Sequence, residues 1–253
     1  MEASVDALRA RLVERADPKT RAWWEGYLKG EARFLGVKMA DVREVMHAWR
    51  AETLGGLSWE AQGEVALALA REPETELKLA GALCFQEALL PSGALSWETW
   101  VPRWAALLDE GALADWNSCD WFCVKVLGPA AQRWGEPCAR AIAGWCLADN
   151  LWRRRASVVA FVNLAKHGER NFEGFAPMLL GACGAVVRDP ARFAQTGTGW
   201  ALRELGRAEP EAVLGFVEER LGLFSREGLR YALEKMPADA QRRWLEAHKA
   251  LGG

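Results

Sequence analysis

Helical periodicity along almost the whole chain is the feature that most limits its fold. Leu, Ala, Trp and Val recur at three- and four-residue spacing, and no segment has the alternating pattern of a half-buried strand. Proline, several times beside an acidic residue, marks the breaks, a combination that suits the first turn of a helix. The pattern predicts an all-α protein with helix boundaries at residues 71–73, 90–93, 135–137, 188–190, 208–210 and 236–237.

The helical segments group into pairs of similar length. Five large apolar residues fall near the start of the second helix of a pair, about 31–41 residues apart, close to the repeat lengths of helical solenoids: Leu77, Trp116, Trp152, Phe193 and Phe224. Such repeats bury their apolar faces only by stacking on their neighbours. We therefore expect residues 1–253 to form a single domain, a C-shaped helical-repeat superhelix whose concave surface is lined by the second helices.

The sequence gives no sign of a membrane or secreted protein. Hydrophobic residues make up 51% of the chain, but the longest nearly uncharged stretch, 175–187, is too short to cross a bilayer. The N-terminus has neither the basic start nor the apolar core of a signal peptide. We expect a cytoplasmic protein without a membrane partner.

Metal and cofactor sites are not expected either. The six cysteines lie within apolar helical patterns without a Cys-x-x-Cys pair, and the three histidines are distant from them in sequence. The chain also lacks the glycine-rich nucleotide motifs, the zinc-protease motif and the esterase motif. These observations predict free core thiols, no metal and no cofactor.

The net charge of −2 argues against a nucleic-acid-binding protein, but the charge is unevenly distributed. Residues 1–112 carry 13 Lys and Arg against 18 Asp and Glu, whereas residues 113–253 carry 19 against 16. The second part also favours arginine over lysine, 15 to 4, and arginine suits bidentate contacts with phosphate. This distribution permits DNA binding by one surface without requiring it.

A candidate site lies in the segment 115–121, Asp-Trp-Asn-Ser-Cys-Asp-Trp. On a helix, Trp116 and Asp120 are four residues apart and share one face, which places a carboxylate beside an indole ring. This pair suits a cation, because an indole face attracts positive charge by about 0.5–2 kcal/mol. If the fold brings Trp200 opposite them, the three side chains form an aromatic cleft with an anionic floor. The alternative for Asp120 is an acid favoured only by the helix dipole.

Four motifs, in order and spacing, resemble those of the AlkD-like DNA alkylation repair family, monofunctional DNA glycosylases built from HEAT-like repeats. They occupy residues 27–37, 116–120, 149–156 and 199–204, and the resemblance extends from about residue 16 to residue 236. It implies catalytic roles for three residues: Asp120, Trp116 and Trp200. It implies DNA contacts for Tyr27 and Arg155. Arg203 lies three residues after Trp200 on the same helix face and is a further candidate for a phosphate contact, as is Arg154.

The resemblance also implies a reaction. Enzymes of this family hydrolyse the N-glycosidic bond of positively charged N3- and N7-alkylated purines, such as 3-methyladenine and 7-methylguanine, in base excision repair. The lesion remains stacked in the double-stranded DNA, which would also admit bulky adducts. We therefore expect a monomeric enzyme that acts on duplex DNA at the nucleoid.

Two departures from the family pattern stand near the candidate site. Asn117 replaces an acid that commonly follows the first tryptophan, and Thr196-Gly197-Thr198 replaces a common Lys-Ala-Ile run. With the second change, Gly197 joins Gly199 of the family motif in one helix, and each glycine costs about 0.5–1 kcal/mol relative to alanine.

Structural explanations compete for several of these residues. Three consecutive helix positions point about 100° apart, so the arginines at 153–155 cannot all face one groove. Arg203 could instead pair with Glu204 or Glu209. Most other tryptophans are expected to pack in the core or between repeats: Trp23, Trp24, Trp49, Trp59, Trp97, Trp100, Trp104, Trp134, Trp145 and Trp244.

Two other functions are open at this point. The first is a non-catalytic relative that binds branched or distorted DNA through the same concave surface, because a fold alone does not determine activity. The second is a helical scaffold that binds other proteins, for which the acidic first part and the many tryptophans would supply the surface.

Overall fold

The computed structural model describes residues 1–252, which form helices joined by short turns. In this range the only extended pairing is an isolated parallel bridge between Arg33 and Glu74, so the prediction of an all-α protein is confirmed. The backbone groups into two compact units, residues 1–126 and the remainder from residue 127. That the chain forms a single domain with C-shaped curvature stays a prediction.

The first unit is built from helices of uneven length. Their bounds are α1 (Glu2–Val13), α2 (Pro18–Tyr27), α3 (Met39–Leu54), α4 (Trp59–Ala70), α5 (Thr75–Cys84), α6 (Leu90–Ser92), α7 (Trp97–Asp109) and α8 (Trp116–Phe122). A wider π-helical turn, Phe85–Leu89, joins α5 to α6, and a second one, Cys123–Leu127, follows α8.

The second unit also consists of helices of uneven length joined by short turns. Its helices are α9 (Gly128–Trp134), α10 (Glu136–Ala143), α11 (Leu151–Val159), α12 (Val162–Ala165), α13 (Phe175–Val186), α14 (Arg192–Leu205), α15 (Pro210–Arg220), α16 (Arg226–Leu233) and α17 (Ala238–Ala250). Short 3₁₀ turns occupy Gly144–Leu147, Gly168–Arg170 and Leu221–Leu223.

The proline-marked boundaries are confirmed. Five of the six predicted breaks separate one helix from the next. At the sixth, the helical run that starts at Thr75 ends at Gly93, which has a left-handed φ of 75°, a conformation that glycine adopts without strain. The predicted repeat starts also agree with the structure, since Trp116 opens α8 and Trp152 and Phe193 are the second residues of α11 and α14.

Aromatic side chains fill the core of the first unit. Phe85 packs edge-on against Trp104 with ring centroids 5.5 Å apart, and Phe122 of α8 lies 6.3 Å from Trp104. The expectation of packing is wrong for two tryptophans, because Trp23 and Trp59 are 60% and 40% exposed. Both lie on helix faces that no other helix covers fully, which the spacing of apolar residues cannot reveal.

The described residues contain no helix long and apolar enough to cross a bilayer. Five of the six free cysteines are buried, and burial raises the pKa of the Cys84 thiol to about 12. Within residues 1–252 no group of His, Cys, Asp and Glu side chains is arranged to hold a metal ion.

Candidate functional site

Helix α8 places Asp120 one turn after Trp116. Asp115 caps the start of this helix, because its Oδ1 accepts a hydrogen bond from the Ser118 amide at 2.8 Å. The capped helix turns Cys119 and Phe122 into the core. Trp116 and Asp120, four residues apart, share another face and are half-buried, so the predicted indole and carboxylate lie on the more accessible side of α8.

A lysine of α5 holds the turn that precedes α8. Lys78 of α5 donates a hydrogen bond to the Ala112 carbonyl, in the turn that leads into α8. Burial lowers the pKa of the Lys78 ammonium, and the carboxylate of Asp115 partly opposes this shift. A half-buried cation therefore stabilises the carbonyl and the capping carboxylate that precede Trp116.

Tyr27 lies beside Trp116 although the two are far apart in sequence. Their ring centroids are 5.9 Å apart at an interplanar angle of 70°, an edge-to-face contact. Tyr27 is 56% exposed, so the contact leaves most of its ring open to solvent. Of the three aromatic and acidic groups predicted in the first unit, Tyr27 thus contacts Trp116, and Asp120 follows Trp116 by one turn of α8.

Sequence reasoning missed Trp23 as a member of this group. Its ring is stacked on Tyr27, with centroids 5.3 Å apart and planes inclined by 5°. The spacing of four residues from Tyr27 on α2 was the signal that could have found it. Trp23, Tyr27 and Trp116 therefore form a continuous row of contacting rings.

The first family motif, residues 27–37, owes its position to buried polar contacts. Glu76, only 2% exposed, accepts hydrogen bonds from the amides of Leu35, Gly36 and Val37 at 2.9, 2.8 and 3.0 Å. Gly36 has a φ of 99°, and a Cβ there would lie 2.5 Å from the Asp17 carbonyl oxygen. The loop is therefore held rigidly where it follows α2.

In the second unit, α14 carries Trp200, which is half-buried. Gly199 lets α16 approach closely, since a Cβ there would lie 2.5 Å from the Gly228 carbonyl oxygen and 2.7 Å from the Tyr231 Cβ. The glycines that the sequence marks as a local cost therefore permit close helix packing. That Trp200 lies opposite Asp120 stays a prediction.

Arg155, predicted to contact DNA, is 4% exposed. Its Nη1 donates to the Phe193 carbonyl at 2.6 Å and to the Thr196 hydroxyl at 3.2 Å. Gly197 makes room for the guanidinium, because a Cβ there would lie 3.1 Å from that nitrogen. Thr196 and Gly197, both departures from the family pattern, thus accommodate an arginine that joins α11 to α14.

The other two arginines also have protein partners. Arg154 forms an ion pair with Asp189 and donates to the Ala148 carbonyl at 2.7 Å. Arg203 pairs with Glu204 at 2.9 Å and with Glu234 at 3.0 Å. The first of these glutamates was one of the two alternatives that the sequence offered for Arg203.

Comparisons with known proteins agree with this architecture. The chain is similar to a solved structure described as a predicted DNA alkylation repair enzyme from Enterococcus faecalis, with a TM-score of 0.74 and 19% identity over 88% of this chain and 98% of that chain. No protein of curated function matches significantly. The model of one family, described as DNA alkylation repair enzyme, matches residues 8–236. The chain therefore belongs to the DNA alkylation repair enzyme family, which confirms the resemblance and indicates DNA as the substrate.

Proposed function

We propose that this chain is a monofunctional DNA glycosylase that hydrolyses the N-glycosidic bond of N3- and N7-alkylated purines in base excision repair. The observation that supports this most directly is the placement of Asp120 one turn after Trp116 on the accessible side of α8. Tyr27 extends the same surface through its edge-to-face contact with Trp116.

The chemistry requires little beyond a well-placed carboxylate. An N3- or N7-alkylated purine carries a positive charge, which already weakens its bond to deoxyribose. Bond cleavage develops oxocarbenium character on the sugar, and carboxylates stabilise this type of transition state in glycoside hydrolases. Asp120 would supply the negative charge that stabilises this transition state, and it would orient the attacking water. Such stabilisation is commonly worth a factor on the order of 10²–10³ in rate.

The aromatic rings would hold the sugar and the cationic base near Asp120. Trp116 presents an indole, which attracts a cation, and Tyr27 contacts its ring. Trp200 of the second unit is the third ring in this proposal. The lesion would remain stacked in the duplex while the sugar and backbone are engaged, so bulky adducts would be accepted.

Phosphate contacts by the predicted arginines would require an exchange of partners. A phosphate at Arg203 has to displace Glu204 or Glu234 from the guanidinium, and one at Arg154 has to compete with Asp189. Such exchanges replace one charge-assisted hydrogen bond by another. We propose that the enzyme acts as a monomer on duplex DNA of the cytoplasmic nucleoid.

The test is release of free base from a duplex that contains 7-methylguanine, measured in single turnover. We expect release by the intact protein and a loss on the order of 10²–10³ in rate for Asp120→Asn. Asp239→Asn, which removes an exposed aspartate from the first turn of α17, is the matched control and should keep the wild-type rate.

The same assay separates the alternatives. If neither the intact protein nor Asp120→Asn releases base while both bind the duplex, the chain is a non-catalytic DNA-binding relative. If the intact protein does not bind duplex DNA even at low salt, a protein-binding scaffold is the better account.

A further inference from the structure

Helix α2 lies on the surface of the first unit and yet carries large aromatic side chains. None of its ten residues is buried, and Trp23 and Tyr27 are 60% and 56% exposed. The next residue, Trp24, stacks on Phe34, with centroids 5.6 Å apart. One tryptophan therefore attaches the helix, while its neighbour remains open to solvent.

The exposed side of α2 has a regular composition. Lys19, Trp23 and Tyr27 follow at intervals of four residues and so share one face of the helix. All three are exposed, and the rings of Trp23 and Tyr27 are parallel. This face, which we call the α2 face, combines a cation with two stacked rings.

The surrounding segment is basic within an acidic part of the chain. Residues 17–38 carry five Lys and Arg against three Asp and Glu, whereas residues 1–112 as a whole carry 13 against 18. Lys19, Lys29 and Arg33 are all exposed. Exposed rings interleaved with cations suit nucleic acid, whose bases stack on aromatic side chains and whose phosphates attract lysine and arginine.

The α2 face is also held in place before any ligand binds. Asp17 caps α2 by accepting a hydrogen bond from the Thr20 amide at 3.0 Å and one from the Thr20 hydroxyl at 2.7 Å. The Asp17 amide in turn donates to the Gly36 carbonyl at 2.9 Å, and the amide of Gly36 is bound by Glu76. The helix therefore needs little ordering to present its rings, which lowers the cost of binding.

We propose that the α2 face binds an unpaired nucleobase of DNA, which stacks on the Trp23 indole while Lys19 neutralises a neighbouring phosphate. Base–aromatic stacking of this kind contributes about 1–3 kcal/mol and tolerates any base. The inference rests on the proposed function, because release of an alkylated purine leaves the opposite nucleotide without a partner. The enzyme would thus recognise that orphaned base.

The test uses a duplex with 2-aminopurine opposite a tetrahydrofuran abasic analogue, and the same strand with 2-aminopurine paired to thymine. The intact protein should quench 2-aminopurine more strongly in the abasic duplex. Trp23→Leu should abolish this quenching and weaken binding of the abasic duplex about 5- to 150-fold, with less than about a twofold change for the paired duplex. Trp23→Phe, which keeps a ring, should restore part of both effects.

Trp59→Leu is the matched control, because Trp59 is an exposed tryptophan on another helix of the same unit. Its quenching and affinities should equal those of the intact protein, and circular dichroism should show all variants folded. Equal losses for both duplexes in Trp23→Leu, or none, would overturn the proposal. So would the absence of quenching by the intact protein. Because the probe contains no lesion to release, these outcomes do not depend on glycosylase activity.

Discussion

The three consecutive arginines at 153–155 in α11 each contact a different part of the protein. Arg153 lies over the Trp145 ring at 5.5 Å, Arg154 pairs with Asp189, and Arg155 bonds the backbone of α14. Spacing of about 100° per residue correctly predicted that the three side chains point in different directions. It could not tell which of them turns inward, because the partners of Arg155 lie 38 and 41 residues later in the chain.

The burial of Arg155 leads to a prediction about stability. Arg155→Met keeps an apolar stem but leaves the Phe193 carbonyl without the donor that contacts it at 2.6 Å. We expect the free energy of unfolding to fall by about 1–3 kcal/mol, measured by urea denaturation. Arg188→Met, an exposed arginine in the turn before α14, is the control and should change it by less than about 0.5 kcal/mol.

The opposite outcome would support the role that the family resemblance implies. If Arg155→Met leaves stability unchanged but lowers the salt dependence of DNA binding by about one phosphate contact, Arg155 acts on DNA. In that case the guanidinium must leave Phe193 and Thr196 when DNA binds.

At the scale of elements, α14 depends on residues that are poor helix formers. Gly197 makes room for Arg155 of α11, and Gly199 makes room for α16. Gln195 adds polar contacts, since its Nε2 donates to the Val187 carbonyl at 2.7 Å and its Oε1 accepts from the Ser225 amide at 2.7 Å. The loss of intrinsic helix propensity is thus offset by close packing and by buried hydrogen bonds.

A methyl group at Gly199 should force α14 and α16 apart. It would lie 2.5 Å from the Gly228 carbonyl oxygen, and this backbone atom cannot move aside as a flexible side chain would. We expect Gly199→Ala to lower the free energy of unfolding by about 1–3 kcal/mol, seen as a lower midpoint in thermal unfolding. It should also slow base release in single turnover, because Trp200 is the next residue.

Gly215→Ala provides the matched control for that substitution. Gly215 lies within α15, and a Cβ there meets no atom within 4 Å, so alanine should leave stability unchanged or raise it by up to about 1 kcal/mol. A stability of Gly199→Ala equal to that of Gly215→Ala would mean that α14 and α16 do not pack as closely as described.

The contrast between α14 and the helix boundaries shows what a sequence can reveal. Proline beside an acid is a local signal, so the breaks at 135–137 and 208–210 were predicted directly. The π-helical turn Cys123–Leu127 after α8 was not, because an extra residue in a turn depends on the packing around it. Trp23 was misjudged for the same reason, since helical spacing gives a side chain's direction but not what covers it.

At the scale of the whole molecule, charge and family membership point in different directions. The net charge is −2, which opposes attraction to DNA at long range. The match over residues 8–236 nevertheless indicates DNA as the substrate. Both statements hold together only if local basic surfaces, such as the segment 17–38, contact phosphate while acidic surfaces face away from it.

Binding of undamaged duplex DNA by the whole chain should therefore be weak overall but strongly dependent on salt. Each phosphate neutralised by a lysine or arginine contributes about −0.9 to the slope of log affinity against log salt. With about four such contacts, affinity should fall on the order of 10²-fold between about 50 and 200 mM salt, as measured by fluorescence anisotropy of a labelled duplex.

The substitution Lys19→Gln should lower the magnitude of this slope by about 0.9, the contribution of one phosphate contact, because Lys19 is exposed on the α2 face. An affinity that does not change with salt, or no binding at about 50 mM, would instead favour a helical scaffold for proteins, because only a polyanionic ligand releases condensed counterions when it is bound.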